Sequence, residues 1–138
     1  MPETGQVGII RGAPYFLVPD VSTARTYYEE VLGFRCDYAA GDPPEFAICS
    51  RSGSAIMFRR ASDPSLICPN EKQGGTWDVF YWVEAVDALS QELKGRGATF
   101  AYLPVLQPYG MKEFAVRDPN GYVLGFGQEW PAQRPPRR

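Results

Sequence analysis

The sequence predicts an α+β protein built from two copies of a strand-helix-strand-strand-strand unit. The first sign is internal similarity. Glu45-Phe46-Ala47-Ile48 reappears as Glu113-Phe114-Ala115-Val116, and at the same offset Gly53 falls on Gly121, Ile56 on Leu124 and Phe58 on Phe126. A slightly shorter offset carries Val18 onto Val83 and Val21 onto Val86, and a loop absorbs the difference. The second sign is that strand-like, helical and turn patterns recur in the same order in both halves. The third is size: 138 residues, 44% hydrophobic and 22% charged, suit one globular domain or two small modules sharing a core.

The elements follow in order. Residues 13–19 are apolar with aromatic and β-branched members, hence a strand. Asp20 or Ser22 can cap a helix whose apolar positions Ala24, Tyr27, Tyr28, Val31 and Leu32 recur through residues 22–32, and Gly33 stops it. Strands at 34–39 and 45–49 flank the breaker cluster Gly41-Asp42-Pro43-Pro44. Ser52-Gly53 turns the chain into a strand at 54–59. The first module therefore covers residues 1–60, and the polar, Pro-containing stretch 61–73 reads as a linker.

The second module, 74–129, begins with an aromatic strand at 76–83. Val86, Leu89 and Leu93 mark a helix that stops at Gly95 or Gly97. Strands follow at 98–103, 112–117 and 122–127, with Asp118-Pro119-Asn120-Gly121 as a type I turn. Residues 130–138 hold several Pro and Arg and read as an extended or disordered tail.

Composition removes whole classes of function. With no histidine, a Ser-His-Asp or Cys-His catalytic arrangement is impossible in this chain, and so is a His-containing zinc site. Net charge −2 gives no electrostatic case for a nucleic-acid partner. No apolar run is long enough to span a membrane, and the N-terminus lacks the pattern of a secretory signal. Cys36, Cys49 and Cys68 make no CxxC pair and read as reduced thiols, so a cytoplasmic location is expected.

Alternation assigns the two faces of each sheet. Val18, Ile56, Phe58, Val79, Val83, Leu124 and Phe126 face the helices; Tyr15, Leu17, Met57, Phe80, Trp82 and Gly125 face the other way. No further helix exists to cover that second face. Its aromatic residues should line a pocket or a dimer contact. Trp77 and Trp82, five apart, should point to opposite sides of a regular strand, with Trp82 toward the cavity. Arg59 and Arg60 read as surface arginines within possible reach of an anionic ligand.

Several stretches together resemble the vicinal oxygen chelate superfamily, which holds glyoxalase I, extradiol dioxygenases, fosfomycin resistance enzymes and bleomycin resistance proteins. They are Val18-Pro-Asp-Val-Ser-Thr-Ala with Tyr27-Tyr-Glu-Glu-Val-Leu-Gly-Phe, then Val83-Glu-Ala-Val-Asp-Ala-Leu, then Glu113-Phe-Ala-Val-Arg-Asp-Pro-Asn-Gly. The resemblance covers about residues 12–128. It implies paired βαβββ modules forming a curved sheet with a cleft, in a homodimer. The positions that hold a divalent metal in that superfamily's enzymes fall on Ala13, Met57, Asp78 and Gly125. Only Asp78 is a metal ligand of the hard kind, and one carboxylate cannot hold such an ion. No metal and no other cofactor is therefore expected.

The chain is most similar to the metal-free bleomycin resistance branch, whose members sequester planar, often cationic drugs. The segment Pro108-Tyr109-Gly110-Met111-Lys112-Glu113-Phe114 resembles that branch, and Phe46 lies where it carries a ligand-stacking ring. The resemblance implies that Phe46 and Tyr109 form a stacking slot. The expected function is binding and sequestration of a small planar aromatic molecule by Phe46, Trp82, Tyr109, Phe80, Met57 and Tyr15, with Asp78 or Glu113 as polar anchor. No catalytic residue is assigned. The alternative is a metal-independent enzyme of epimerase, cyclase or lyase type that uses a pocket carboxylate or tyrosine. A third reading is a structural or regulatory subunit with a filled cavity.

Overall fold

The computed structural model describes residues 5–131. The chain divides into two compact units, one running up to Pro64 without residues 30–32, the other taking those residues and everything from Ser65 onward. Each unit carries a four-stranded sheet and the βαβββ order expected from the sequence.

In module one, β1 (Tyr15–Val18) leads into α1 (Val21–Glu30), followed by β2 (Arg35–Ala40), β3 (Phe46–Arg51) and β4 (Ser54–Arg60). The sheet order is β1-β4-β3-β2, parallel between β1 and β4 and antiparallel elsewhere. Of the two possible caps, Asp20 does the work: it accepts the Ser22 N–H at 3.2 Å and the Thr23 hydroxyl at 2.6 Å. α1 buries Val21, Ala24 and Tyr28, one stripe of the helix. The Tyr28 ring meets Phe58 of β4 at 4.7 Å and Phe34 at 5.7 Å. Gly33 takes φ 73°, the left-handed step that ends the helical pattern.

Module two repeats this with β5 (Val79–Trp82), α2 (Val86–Gly95), β6 (Thr99–Gln107), β7 (Met111–Arg117) and β8 (Val123–Glu129), in sheet order β5-β8-β7-β6. α2 has no cap from its preceding residue. Instead the Gln128 side chain on β8 accepts the Val86 N–H at 2.9 Å. The helix side of the sheet holds a stacked pair, Phe114 and Phe126 at 5.1 Å, with Phe100 and Tyr81 against them. Asp118 is buried because its carboxylate closes the 118–121 turn on the Asn120 and Tyr122 N–H groups.

The face assignment holds wherever the strands are regular. Val18, Ile56, Phe58, Leu124 and Phe126 are buried on the helix side, while Tyr15, Leu17 and Trp82 are exposed. β6 runs four residues beyond the expected end at 103, straight through Pro104. β6 is an edge strand, so the missing Pro104 N–H removes no bond from an inner ladder.

The internal repeat is one residue out of step in β3 and β7. Met57 of β4 pairs with Tyr15 and Ile48; Gly125 of β8 pairs with Phe80 and Ala115. Arg59 pairs with Phe46, and Gly127 with Glu113. The structural counterpart of Glu113 is thus Phe46, not Glu45. The turns explain the slip: Arg51 and Ser54 close a two-residue turn at Ser52-Gly53, whereas Arg117 and Val123 enclose the longer 118–122 turn. A one-residue slip moves every side chain to the other face.

The stretch 61–73 is more than a tether. It contains short 3-10 turns at Pro64–Leu66 and Asn70–Gln73, and Glu71 makes paired hydrogen bonds to Arg117 at 3.0 and 2.7 Å. No helix among the described residues is long and apolar enough to cross a membrane. The tail expected at 130–138 falls outside the described residues from 132 onward.

Candidate functional site

The face of each sheet away from its helix carries the chemistry. In module two it is laid out in two rows across the strands. One row is Phe80, Gly125, Ala115 and Tyr102; the next is Trp82, Gly127, Glu113 and Val105.

The two glycines form the floor. A Cβ on Gly125 would stand 2.5 Å from Trp77 and 2.8 Å from Phe80, and one on Gly127 would stand 2.5 Å from Phe80. The aromatic rings occupy that space, packed onto the β8 backbone. Trp77 and Phe80 centroids are 4.6 Å apart, and Phe80 and Trp82 5.2 Å, so three rings form a continuous apolar shelf. This corrects the expectation that Trp77 and Trp82 point to opposite sides. Trp77 precedes β5, so strand alternation does not govern it.

Trp77 reaches across the sheet. Its indole N–H donates to the Tyr102 hydroxyl at 2.9 Å. Tyr102 donates in turn to Glu113 Oε1 at 3.3 Å, joined there by Gln107 Nε2 at 3.3 Å and the Tyr109 hydroxyl at 2.8 Å. Glu113 is only 1% exposed, so its carboxylate depends on these donors in place of water. All three go to Oε1. Oε2 receives no hydrogen bond from the described residues, and no buried side-chain oxygen or nitrogen among them lacks a partner. Oε2 is therefore the carboxylate's remaining acceptor, although with the residue 1% exposed it scarcely meets solvent.

The phenols register this environment. Burial, then the hydrogen bond to Glu113 and its charge, pushes Tyr109 up to about 12. Burial likewise raises Tyr102, with Glu113 adding to the rise and the Trp77 hydrogen bond opposing it. Both tyrosines stay protonated donors at neutral pH.

Asp78 has a different task. Oδ1 accepts the Asn70 N–H at 2.9 Å and Oδ2 the Val123 N–H at 2.8 Å. Both oxygens are committed to the backbone, so Asp78 ties the 3-10 turn at 70–73 to β8. Of the two carboxylates considered as anchor, only Glu113 has an oxygen to spare.

Module one's open face has the corresponding rows Tyr15, Met57, Ile48, Tyr38 and Leu17, Arg59, Phe46, Ala40. Phe46 lies between Tyr15 at 6.5 Å and Tyr38 at 6.2 Å. The Arg59 guanidinium covers it at 5.1 Å, and Arg59 Nε donates to the Tyr15 hydroxyl at 3.1 Å. Arg60 instead pairs with the exposed Glu45 at 3.6 Å. Phe46 belongs to module one and Tyr109 to module two.

The metal positions of the fold offer no donor set. Ala13 and Gly125 have no side-chain donor, Met57 has only a thioether, and Asp78 is spent on backbone N–H groups. These residues do not fit a divalent ion, which needs several hard donors.

Alternation places Tyr15, Leu17, Met57, Phe80, Trp82 and Gly125 on this side of the sheets, as found, and Glu113 is expected only as a possible polar anchor; Trp77, Tyr102 and Gln107 are not expected in the cluster. The β-branched Val105 and apolar Leu106 beyond Pro104 are the signal that β6 extends past 103.

The model of the Glyoxalase/Bleomycin resistance protein/Dioxygenase superfamily matches residues 12–126, and the chain belongs to that family. Its fold is similar to that of TioX from Micromonospora sp. ML1, at 23% identity over 86% of this chain and 98% of that one, with TM-score 0.70. It is also similar to TnmS3, an antibiotic binding protein from Streptomyces sp. CB03234, at 19% identity, 92% and 99% coverage and TM-score 0.67. A glyoxalase/bleomycin resistance protein/dioxygenase from Nocardioides aligns at 18% identity over 98% of this chain and 92% of that one, TM-score 0.65. No curated protein matches the chain.

Proposed function

We propose that this chain binds a small planar aromatic molecule, a drug or metabolite, on the open face of module two and sequesters it unchanged, without a metal, as a homodimer. One observation carries the reading: the buried Glu113 carboxylate, with one oxygen still able to accept, is strand-paired with Gly127 beside the Trp77-Phe80-Trp82 shelf. An apolar surface of tilted aromatic rings with one oriented polar group suits an aromatic ligand that stacks on one ring and meets the edges of the others. Trp82 is 75% exposed, a large apolar ring left to water unless something covers it. The antibiotic-binding function of TnmS3 supports an antibiotic as the ligand class.

The same cluster favours a second reading. A carboxylate held 2.8 Å from a phenol can move a proton within a bound substrate, which suits a metal-independent epimerase, cyclase or lyase. Recovery of the bound molecule separates the two: sequestration returns it unaltered, whereas turnover returns a product.

The test of binding is a thermal-shift screen against planar aromatic antibiotics, with and without chelator. A ligand that binds only the folded chain raises Tm. Trp82→Ala should leave the stability of the free protein within ~0.5 kcal/mol, because the ring is exposed, yet abolish the shift. An undiminished shift in Trp82→Ala would move the site elsewhere.

A further inference from the structure

We propose that Cys36 and Cys49 form a reversible disulfide by exchange with a low-molecular-weight disulfide, pinning β2 to β3 in module one. The two residues are direct cross-strand partners. Facing residues in an antiparallel pair have Cα atoms about 4.5–5.5 Å apart, inside the span a disulfide bridges. Both are free thiols on the helix side of the sheet, Cys49 buried and Cys36 half-buried. The Cys36 thiol also donates to the Tyr38 carbonyl at 3.4 Å.

The fold does not require sulfur there. A bulge follows Cys36 in β2, and a matching bulge follows Phe100 in β6, where Phe100 pairs with Val116. Module two fills the equivalent pair with carbon. Module one places two thiols at the one step where its register shifts, two residues before Tyr38, whose ring packs on Phe46.

The chemistry balances in two exchanges. The partly exposed Cys36 thiolate attacks the small disulfide, forming a mixed disulfide and releasing one small thiol. Cys49 then attacks the Cys36 sulfur, closing the protein disulfide and releasing the second. Two protein thiols are oxidised, one small disulfide is reduced, and the thiol protons pass to the two departing thiolates. Burial, with Cys36 close by, pushes the Cys49 thiol up to about 12, so Cys36 is the entry sulfur and closure is the slow step. Cys68 is exposed, with no second cysteine paired to it, and should keep a mixed disulfide.

The test treats the folded full chain with glutathione disulfide, blocks remaining thiols, and maps tryptic peptides without reduction. The peptide 36–51 contains both cysteines and no internal cleavage site. It should come out two hydrogens lighter with no glutathione, while the peptide bearing Cys68 gains glutathione. The oxidised chain should melt several degrees higher than the reduced one, because a short loop is closed in the unfolded state. Cys36→Ser should abolish that rise, and a reducing thiol should reverse it. Stable glutathione on Cys36, or an unmodified 36–51 peptide beside fully converted Cys68, would overturn the proposal.

Discussion

The two modules share a topology and differ at the positions where a ligand would meet them. Tyr38 and Tyr102 occupy equivalent places, but Met57 and Arg59 in module one stand where module two has Gly125 and Gly127. Side chains at those places in module one put a guanidinium over Phe46. Their absence in module two lets Trp77 and Phe80 lie on the strand. Phe46, a ring, is matched by Glu113, a buried acid with three donors. The same scaffold thus presents different side chains on its two open faces, and function is argued from those side chains and not from the shared fold.

The largest expected effect breaks the comparison at its sharpest point. Glu113→Ala strands the Tyr102, Gln107 and Tyr109 donors and should cost about 2–4 kcal/mol in urea unfolding. Glu45→Ala, at the residue that sequence similarity equates with Glu113, removes an exposed ion pair and should change stability by less than ~0.5 kcal/mol. Equal losses would mean that the observed register is not the one that matters.

Glycine substitution sharpens the contrast. Gly127→Ala drives a methyl into Phe80 and Met111 and should cost about 1–3 kcal/mol. Arg59→Ala, at the equivalent place, loses a cation–ring contact and a hydrogen bond at the surface, about 1 kcal/mol or less. Thermal melts of the two variants check the order.

The smallest effect is alkaline. An ordinary phenol titrates near pH ~10, whereas Tyr109 is pushed up to about 12 by burial and Glu113, and Tyr81 to about 12 by burial. The unfolded chain therefore loses these protons first. Their contribution to stability is whole below about pH 10 and falls as pH rises toward the folded values. Urea midpoints from pH 8 to pH 11 should decline, and less steeply in Tyr109→Phe.

The fold was legible because its signals are local. Helical spacing in Ala24, Tyr27, Tyr28, Val31 and Leu32, alternation in the strands, and the Asp118 turn each act over a few residues. The site was legible in part. Phe80 and Trp82 follow from alternation, and Glu113 enters as a candidate anchor within the Glu-Phe-Ala-Val segment. Trp77 did not, because it lies outside the strand whose period was applied to it. Tyr102 and Gln107 did not, because Pro104 looks like a strand end and two bulges break the β6 register. Phe46 and Glu113 could not be equated from sequence, since one residue in a turn sets that pairing.

The most direct test of a ligand site on module two is to take any planar aromatic compound that raises Tm and titrate it into wild type, Glu113→Gln, Trp82→Ala and Phe46→Ala, following tryptophan fluorescence. The account predicts quenching in wild type, at least tenfold weaker binding in Glu113→Gln and Trp82→Ala, and a smaller change in Phe46→Ala. Full-strength binding in both module-two variants, with loss only in Phe46→Ala, would contradict it.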